Sequence, residues 1–332
     1  VLHVDEDLDH YTPVAISKSG LVAVGAQSRM VRVYSLDSGA VVNERQFDAF
    51  PYCVAFANED ADSLAVTSGK KLTIWSRSTD STQETVTSNI LRTLAVAQGV
   101  VMVGDDVGHI LQWPLDRLDS KPNKFVGHAG FITDVFISPH DVVASRSWGG
   151  TSRLWNRRTG EQLLEVVDGD LTDDLGQQSE KWFRSPGFSN DGLLVAGGSY
   201  LQTNAFEVTQ SSARRVLWNP NRSARVWDVA WHPYEPLLVV TAELGFNVWN
   251  SEEGRRLKHV PCKNARTAVF VDNGAFLLTS GGAGVQKWPT KTLKTDEAIT
   301  LEFGEPELLS ARAVDYMSVN AGFSIAAIDR QN

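Results

Sequence analysis

The residues able to do chemistry are scattered through this chain, and their spacing limits what they can do. Seven histidines and two cysteines, Cys53 and Cys262, occur in 332 residues. None of them forms the His-Glu-x-x-His or Cys-x-x-Cys spacing that gathers ligands around a tetrahedral metal ion. The run "DEDLD" at 5–9 starts like a calcium loop, but its sixth position is His10 and its twelfth is Ile16. A calcium loop needs a turning glycine and a bidentate carboxylate at those two places. No Gly-x-x-x-x-Gly-Lys or Gly-x-Ser-x-Gly stretch is present, and "GGAG" at 281–284 opens a strand-like segment, not a phosphate-binding helix. Asp134, Asp228 and Asp315 stand among apolar residues on segments assigned below to inner strands. Acids so placed are expected to be satisfied by backbone groups or neighbouring sheets. No metal, no cofactor and no catalytic residue is assigned, and the chain is expected not to be an enzyme. The distant cysteines are expected to be buried thiols of a reducing compartment. Asn221–Arg222–Ser223 is a glycosylation sequon by form alone.

The elements that must carry these residues repeat. An aromatic residue ends a glycine-led strand seven times, at Tyr34, Trp75, Trp113, Trp155, Phe206, Trp249 and Trp288. The intervals are 41, 38, 42, 51, 43 and 39 residues. Two short strands joined by a polar turn precede each aromatic, as in "DVFISPHDVVAS", and a fourth follows it, as in "EQLLEVV". Short alternating apolar runs punctuated by Gly, Pro, Asn and Asp are strand signals. No window holds an apolar i, i+3, i+4 pattern, so the expected order is strands a, b, c and d in each repeat, with little helix. A period near 40 with four strands is the spacing of a propeller.

The sequence resembles the WD40-repeat family on these residues. The best match is "GHAGFITDVFISPHDVVASRSWGGTSRLWNRRTGEQLL", with Gly127–His128 and Trp155–Asn156 near the family's Gly–His and Trp–Asp pairs. "DVAWHPYEPLLVVTAELGFNVWNSEEGRRL" is nearly as good, and the later repeats are similar to WD40 arrays of bacterial signalling proteins such as Ser/Thr kinases. The resemblance implies an all-β WD40-like propeller of seven complete four-stranded blades plus strands of a partial eighth sector. The expected blades are 11–47, 52–87, 91–127, 131–167, 180–219, 224–261 and 265–303, with strands of a partial repeat at 1–4 and 311–332. The family's b–c turn aspartate is replaced by Ser28, Gly69, Val107 and Gly149 in the first four repeats. His128 is therefore expected to lack the carboxylate of the family's His–Ser–Asp–Trp network, leaving packing of aromatic and β-branched residues to hold these blades.

The formal net charge of −9 disfavours a nucleic-acid partner, and no apolar run is long enough to insert in a membrane. The resemblance implies a scaffold or docking module for proteins or peptides, cytoplasmic, monomeric, and one piece of a longer signalling protein. A regulatory sensor for an attached kinase and a small-ligand or metal-dependent propeller enzyme are the alternatives.

One surface stands out. The residues entering strand a are Thr12, Tyr52, Arg92, Thr133, Arg184, Trp227, Arg266 and Arg312. Arg, Tyr and Trp are the side chains that dominate binding hot spots, and arginine grips carboxylate or phosphate in a fork. This ring is expected to receive an acidic or phosphorylated segment; the competing expectation is that its arginines neutralise nearby carbonyls and acids. Trp148, in a b–c turn, would add an aromatic contact or pack on its own blade edge. The insertion "VDGDLTDDLGQQSEKWFRSP" carries Trp182, which would bind a partner or plug the channel mouth.

Overall fold

A computed structural model describes residues 13–58, 60–138, 140–167, 184–189, 194–198, 203–207, 214–217, 226–295, 298–312, 314–319 and 325–329. The chain is all-β apart from one 3-10 turn, Asp272–Gly274, among these residues. Six sheets have four antiparallel strands in the order a-b-c-d, one has five strands and one has two. The inner strands are Val14–Ile16, Pro51–Phe56, Leu91–Ala97, Ile132–Ile137, Arg184–Phe188, Val226–Trp231, Ala265–Val271 and Val314–Val319. Each inner strand lies beside the next, and Val314–Val319 touches both Ala265–Val271 and Val14–Ile16, so the sheets close into a ring. The inner edge of each sheet is left short and protected at the centre of the ring. The N-terminal segment 1–4 expected beside this closure lies outside the described residues.

Burial explains the composition of each strand. Strand b is covered on both faces by neighbouring sheets, so "SLAVTS" and "LLVVTA" are buried almost throughout, whereas the outer strand "VVNERQ" is mostly exposed. The core is a set of inter-sheet clusters: Leu94, Val101 and Trp113 of the third sheet pack on Ala65, Leu72 and Ile74 of the second. Met102, Ile110 and Phe125 pack in the same way on Ile132, Val143 and Trp155 of the fourth.

The repeat aromatics share one register. Tyr34, Trp75, Trp113, Trp155, Phe206, Trp249 and Trp288 pair with Val22, Leu64, Val101, Val143, Val195, Leu238 and Leu277 of strand b. All of them but Phe206, whose side chain lies outside the described residues, are at most 7% exposed. Burial of each is worth roughly 1.5–3 kcal/mol.

The seventh sheet departs from the expected strand order. Val285–Lys294 runs ten residues, and its far half pairs with Ile299–Phe303, the segment expected as strand d. The outer position beside Val285–Lys287 is taken instead by Glu307–Ser310. Leu301 and Phe303 draw the long hairpin onto the cluster of Phe246, Val260 and Trp288, and this packing stabilises the extension.

Candidate functional site

Antiparallel pairing places the start of strand a, the b–c turn and the end of strand d at one end of each sheet. Ile132, Ser147, Thr151 and Val167 mark that end in the fourth sheet. The entry positions singled out in sequence lie there, and most of them are β-bulges. Tyr52, Arg92, Thr133, Trp227 and Arg266 are each skipped by the a–b ladder, between Pro51 and Cys53, Leu91 and Thr93, Ile132 and Asp134, Val226 and Asp228, and Ala265 and Thr267. A bulge adds one residue, raises the local twist and re-aims its side chain. Each bulge follows a buried residue that anchors the strand, and each bulge side chain is only half-buried.

Two of the eight entry positions depart from this equivalence. In the fifth sheet Arg184 is itself paired, with Gly198, and the irregularity falls on Ser185 and Pro186. Proline has no N–H for the ladder, so the break falls there. In the two-stranded sheet the skipped residue is Asp315, while Arg312 is exposed and lies three residues before it. Thr12 and Trp182 lie outside the described residues, as does the Arg184 side chain.

The bulge residues touch their neighbours around the ring. The Arg92 guanidinium lies 4.8 Å from the Tyr52 ring centroid and 5.7 Å from that of Phe131. Tyr52 meets Phe50 edge-on at 5.3 Å, and Phe131 stacks on Trp148 at 5.1 Å and 19°. Phe50, Tyr52, Arg92, Phe131 and Trp148 thus form one continuous array across three sheets. Trp148 is 52% exposed, and its backbone N–H donates to the Phe131 carbonyl at 2.9 Å. A second pair, Arg266 over Trp227 at 3.9 Å, joins the sixth and seventh sheets. Sequence reading did not single out Phe50 and Phe131, although each stands two residues before a bulge position, where strand alternation returns a side chain to the same side.

The strand-a acids have structural partners. Asp228 accepts the N–H of Val229 at 2.9 Å and that of Ala268, in the next sheet, at 3.1 Å. Asp134 pairs with Arg146 at 3.5 Å, and the Asp315 side chain lies outside the described residues. Cys53 and Cys262 are free and half-buried rather than buried, and burial pushes both thiols above their ordinary range. Among the described residues no group of three His, Cys, Asp or Glu is placed to hold a metal.

In the fourth sheet, where His128 is expected to lack the family's carboxylate, hydroxyl groups complete a hydrogen-bond network. His128 bonds Ser145 Oγ through Nε2 at 2.7 Å, and Trp155 Nε1 donates to the same oxygen at 2.8 Å. The other ring nitrogen, Nδ1, meets Thr151 Oγ1 at 2.6 Å. A threonine hydroxyl two residues beyond Gly149 therefore stands where the family uses a carboxylate. With burial and the Arg153 charge opposing protonation, His128 is lowered to a pKa of about 4. A Cβ at Gly127 would displace the Arg153 guanidinium and crowd the Trp155 ring. In the third sheet the carboxylate sits two residues before Val107: Asp105, 1% exposed, accepts from Asn89 and from both the backbone and ring of His109.

The fold is similar to that of solved propellers. A chain from the crystal structure of the mitotic checkpoint complex superposes with a TM-score of 0.64 at 16% identity, over 83% of this chain and 86% of that one. The computationally designed Ika8 protein superposes at 0.68 and 15% identity, over 97% of each chain. This chain has a WD40-like propeller fold. No family model and no curated protein sequence matches it. The propeller therefore rests on three-dimensional likeness and on the repeat, and the bulges lie at the end of the sheets that carries the b–c turns.

Proposed function

We propose that this WD40-like propeller is a non-catalytic docking module that binds protein segments, acidic or phosphorylated, on the channel-mouth face. In this reading the five-stranded sheet is the seventh blade, the two-stranded sheet is a partial eighth sector, and the chain serves as one cytoplasmic module of a larger signalling protein. The observation that carries the proposal is the array of Phe50, Tyr52, Arg92, Phe131 and Trp148, which presents an arginine and a half-exposed tryptophan on a rigid bulged rim. Aromatic and arginine anchors set in rigid surroundings carry most of the energy of protein interfaces. Val107 and Leu244, 48% and 61% exposed, add apolar surface in b–c turns on the same face. Side chains of the rim link neighbouring blades as well, so stability and recognition share the same residues.

The test is to pan a displayed random-peptide library on the intact chain and on Arg92→Ala, matched for thermal unfolding. Acidic sequences should be enriched on the intact chain and lost on the variant. Equal recovery from both, or no enrichment at all, overturns the proposal.

A further inference from the structure

Arg92 differs from the arginines that are held by acids. Arg32, Arg45, Arg146, Arg153, Arg157 and Arg255 each pair with a carboxylate. Among the described residues no carboxylate pairs with Arg92; its buried Nε has no acceptor, a feature it shares with Arg146, Arg153, Arg157 and Arg266. Its contacts are with the rings of Tyr52 and Phe131. A guanidinium held near rings by its charge and its flat face still has its in-plane N–H donors to satisfy, and an anion satisfies two of them at once. Next to it, Phe131 supports Trp148 in a near-parallel stack, which restrains the indole and leaves about half of it exposed. A restrained exposed indole takes a flat apolar partner at little entropic cost.

Spacing joins the two features. Arg92 to Phe131 is 5.7 Å and Phe131 to Trp148 is 5.1 Å. In an extended segment, side chains on one face recur about every 7 Å, and those four residues apart lie about 13 Å from each other. An anion on the guanidinium and a ring on the outer face of the indole each lie beyond these centres, so partner side chains two or four residues apart both reach the two points.

We infer that the rim reads a two-point motif: an extended segment with an anionic side chain on Arg92 and an aromatic or proline ring two or four residues away on Trp148. This rests on the docking function proposed above and narrows it from a ring of arginines to one sector. Arg266, stacked on Trp227, and the off-register Arg184 and Arg312 are outside the motif. The protein's net charge of −9 does not oppose it, since distant charges are screened beyond about 8 Å at physiological salt while the contact at Arg92 is local.

The test uses the same peptide library on four proteins: the intact chain, Arg92→Ala, Arg92→Lys and Trp148→Ala. Enriched peptides are then resynthesised with the acid as Glu, phosphoserine or Ala and the ring as Phe, Pro or Ala. Affinity should fall on the order of tenfold or more when either point becomes Ala. The acid's contribution should vanish on Arg92→Ala and shrink on Arg92→Lys, which keeps charge but loses the fork. The ring's contribution should vanish on Trp148→Ala, a half-exposed change that leaves the fold intact. Comparing Glu with phosphoserine tells which anion the site prefers. Acidic peptides that depend on Arg92 but show no ring preference, or none sensitive to Trp148, overturn the motif and leave the docking proposal standing. Peptides indifferent to Arg92 overturn both.

Discussion

The His128 network makes the propeller's stability depend on pH in a way one substitution isolates. In the folded chain His128 has a pKa of about 4, against 6.5 for an ordinary histidine, because burial and Arg153 disfavour its charged form. Between those values the unfolded chain binds a proton that the folded chain does not, so folding stability falls as pH drops from about 6.5 towards 4. Each pKa unit is worth 1.36 kcal/mol, and the full window amounts to about 3 kcal/mol. His128→Gln removes the titration while keeping an amide donor and acceptor near Ser145 and Thr151. Urea unfolding of both proteins at pH 7.5 and pH 4, followed by circular dichroism, gives the comparison. Carboxylates other than Glu165, whose charge couples weakly to His128, and His232, itself lowered by burial, titrate in both proteins and cancel in the difference. The original chain should be the more stable at pH 7.5, and its advantage should shrink by about 3 kcal/mol at pH 4. In a protein with a steep urea dependence this is a midpoint change of up to about 1 M. An advantage that stays the same at both pH values refutes the assignment of a neutral, proton-resisting His128 to this network.

Thr151→Asp should restore a carboxylate beside Nδ1 of His128 and raise its pKa towards the ordinary value, which nuclear magnetic resonance titration of the ring would detect; an unchanged or lower value counts against the Thr151 contact. Trp155→Phe keeps most of the buried ring but removes the N–H donated to Ser145, and should cost about 1–2 kcal/mol in urea unfolding. Asp228→Ala leaves the Ala268 N–H between the sixth and seventh sheets without its acceptor, and should cost about 1–3 kcal/mol. Faster amide hydrogen exchange at Ala268 in that variant would locate the loss, and unchanged protection there would contradict it.

The repeat aromatics, the strand order and the closed ring follow from sequence because they are periodic: burial on both faces forces apolar strand b, and the inter-sheet gap demands one large ring per repeat. The seventh repeat escapes that logic. "AITLEF" alternates as well as any outer strand, but pairing depends on the ten-residue length that Val285–Lys294 attains once Leu301 and Phe303 find the Phe246 cluster.

The site divides in the same way. Sequence alone determined that Tyr52, Arg92, Trp227 and Arg266 occupy equivalent positions, since local spacing to a buried residue is enough to align them. That these positions are bulges, that Pro186 shifts the fifth, and that the eighth falls on Asp315 were decided by ladder pairing between strands. Only the tertiary structure placed Thr151 against His128 and set Phe50 and Phe131 into a cation–aromatic array, because those contacts join side chains from different turns and different sheets. A sequence records which residues are buried by repetition, whereas contacts across neighbouring blades exist only once the ring has closed.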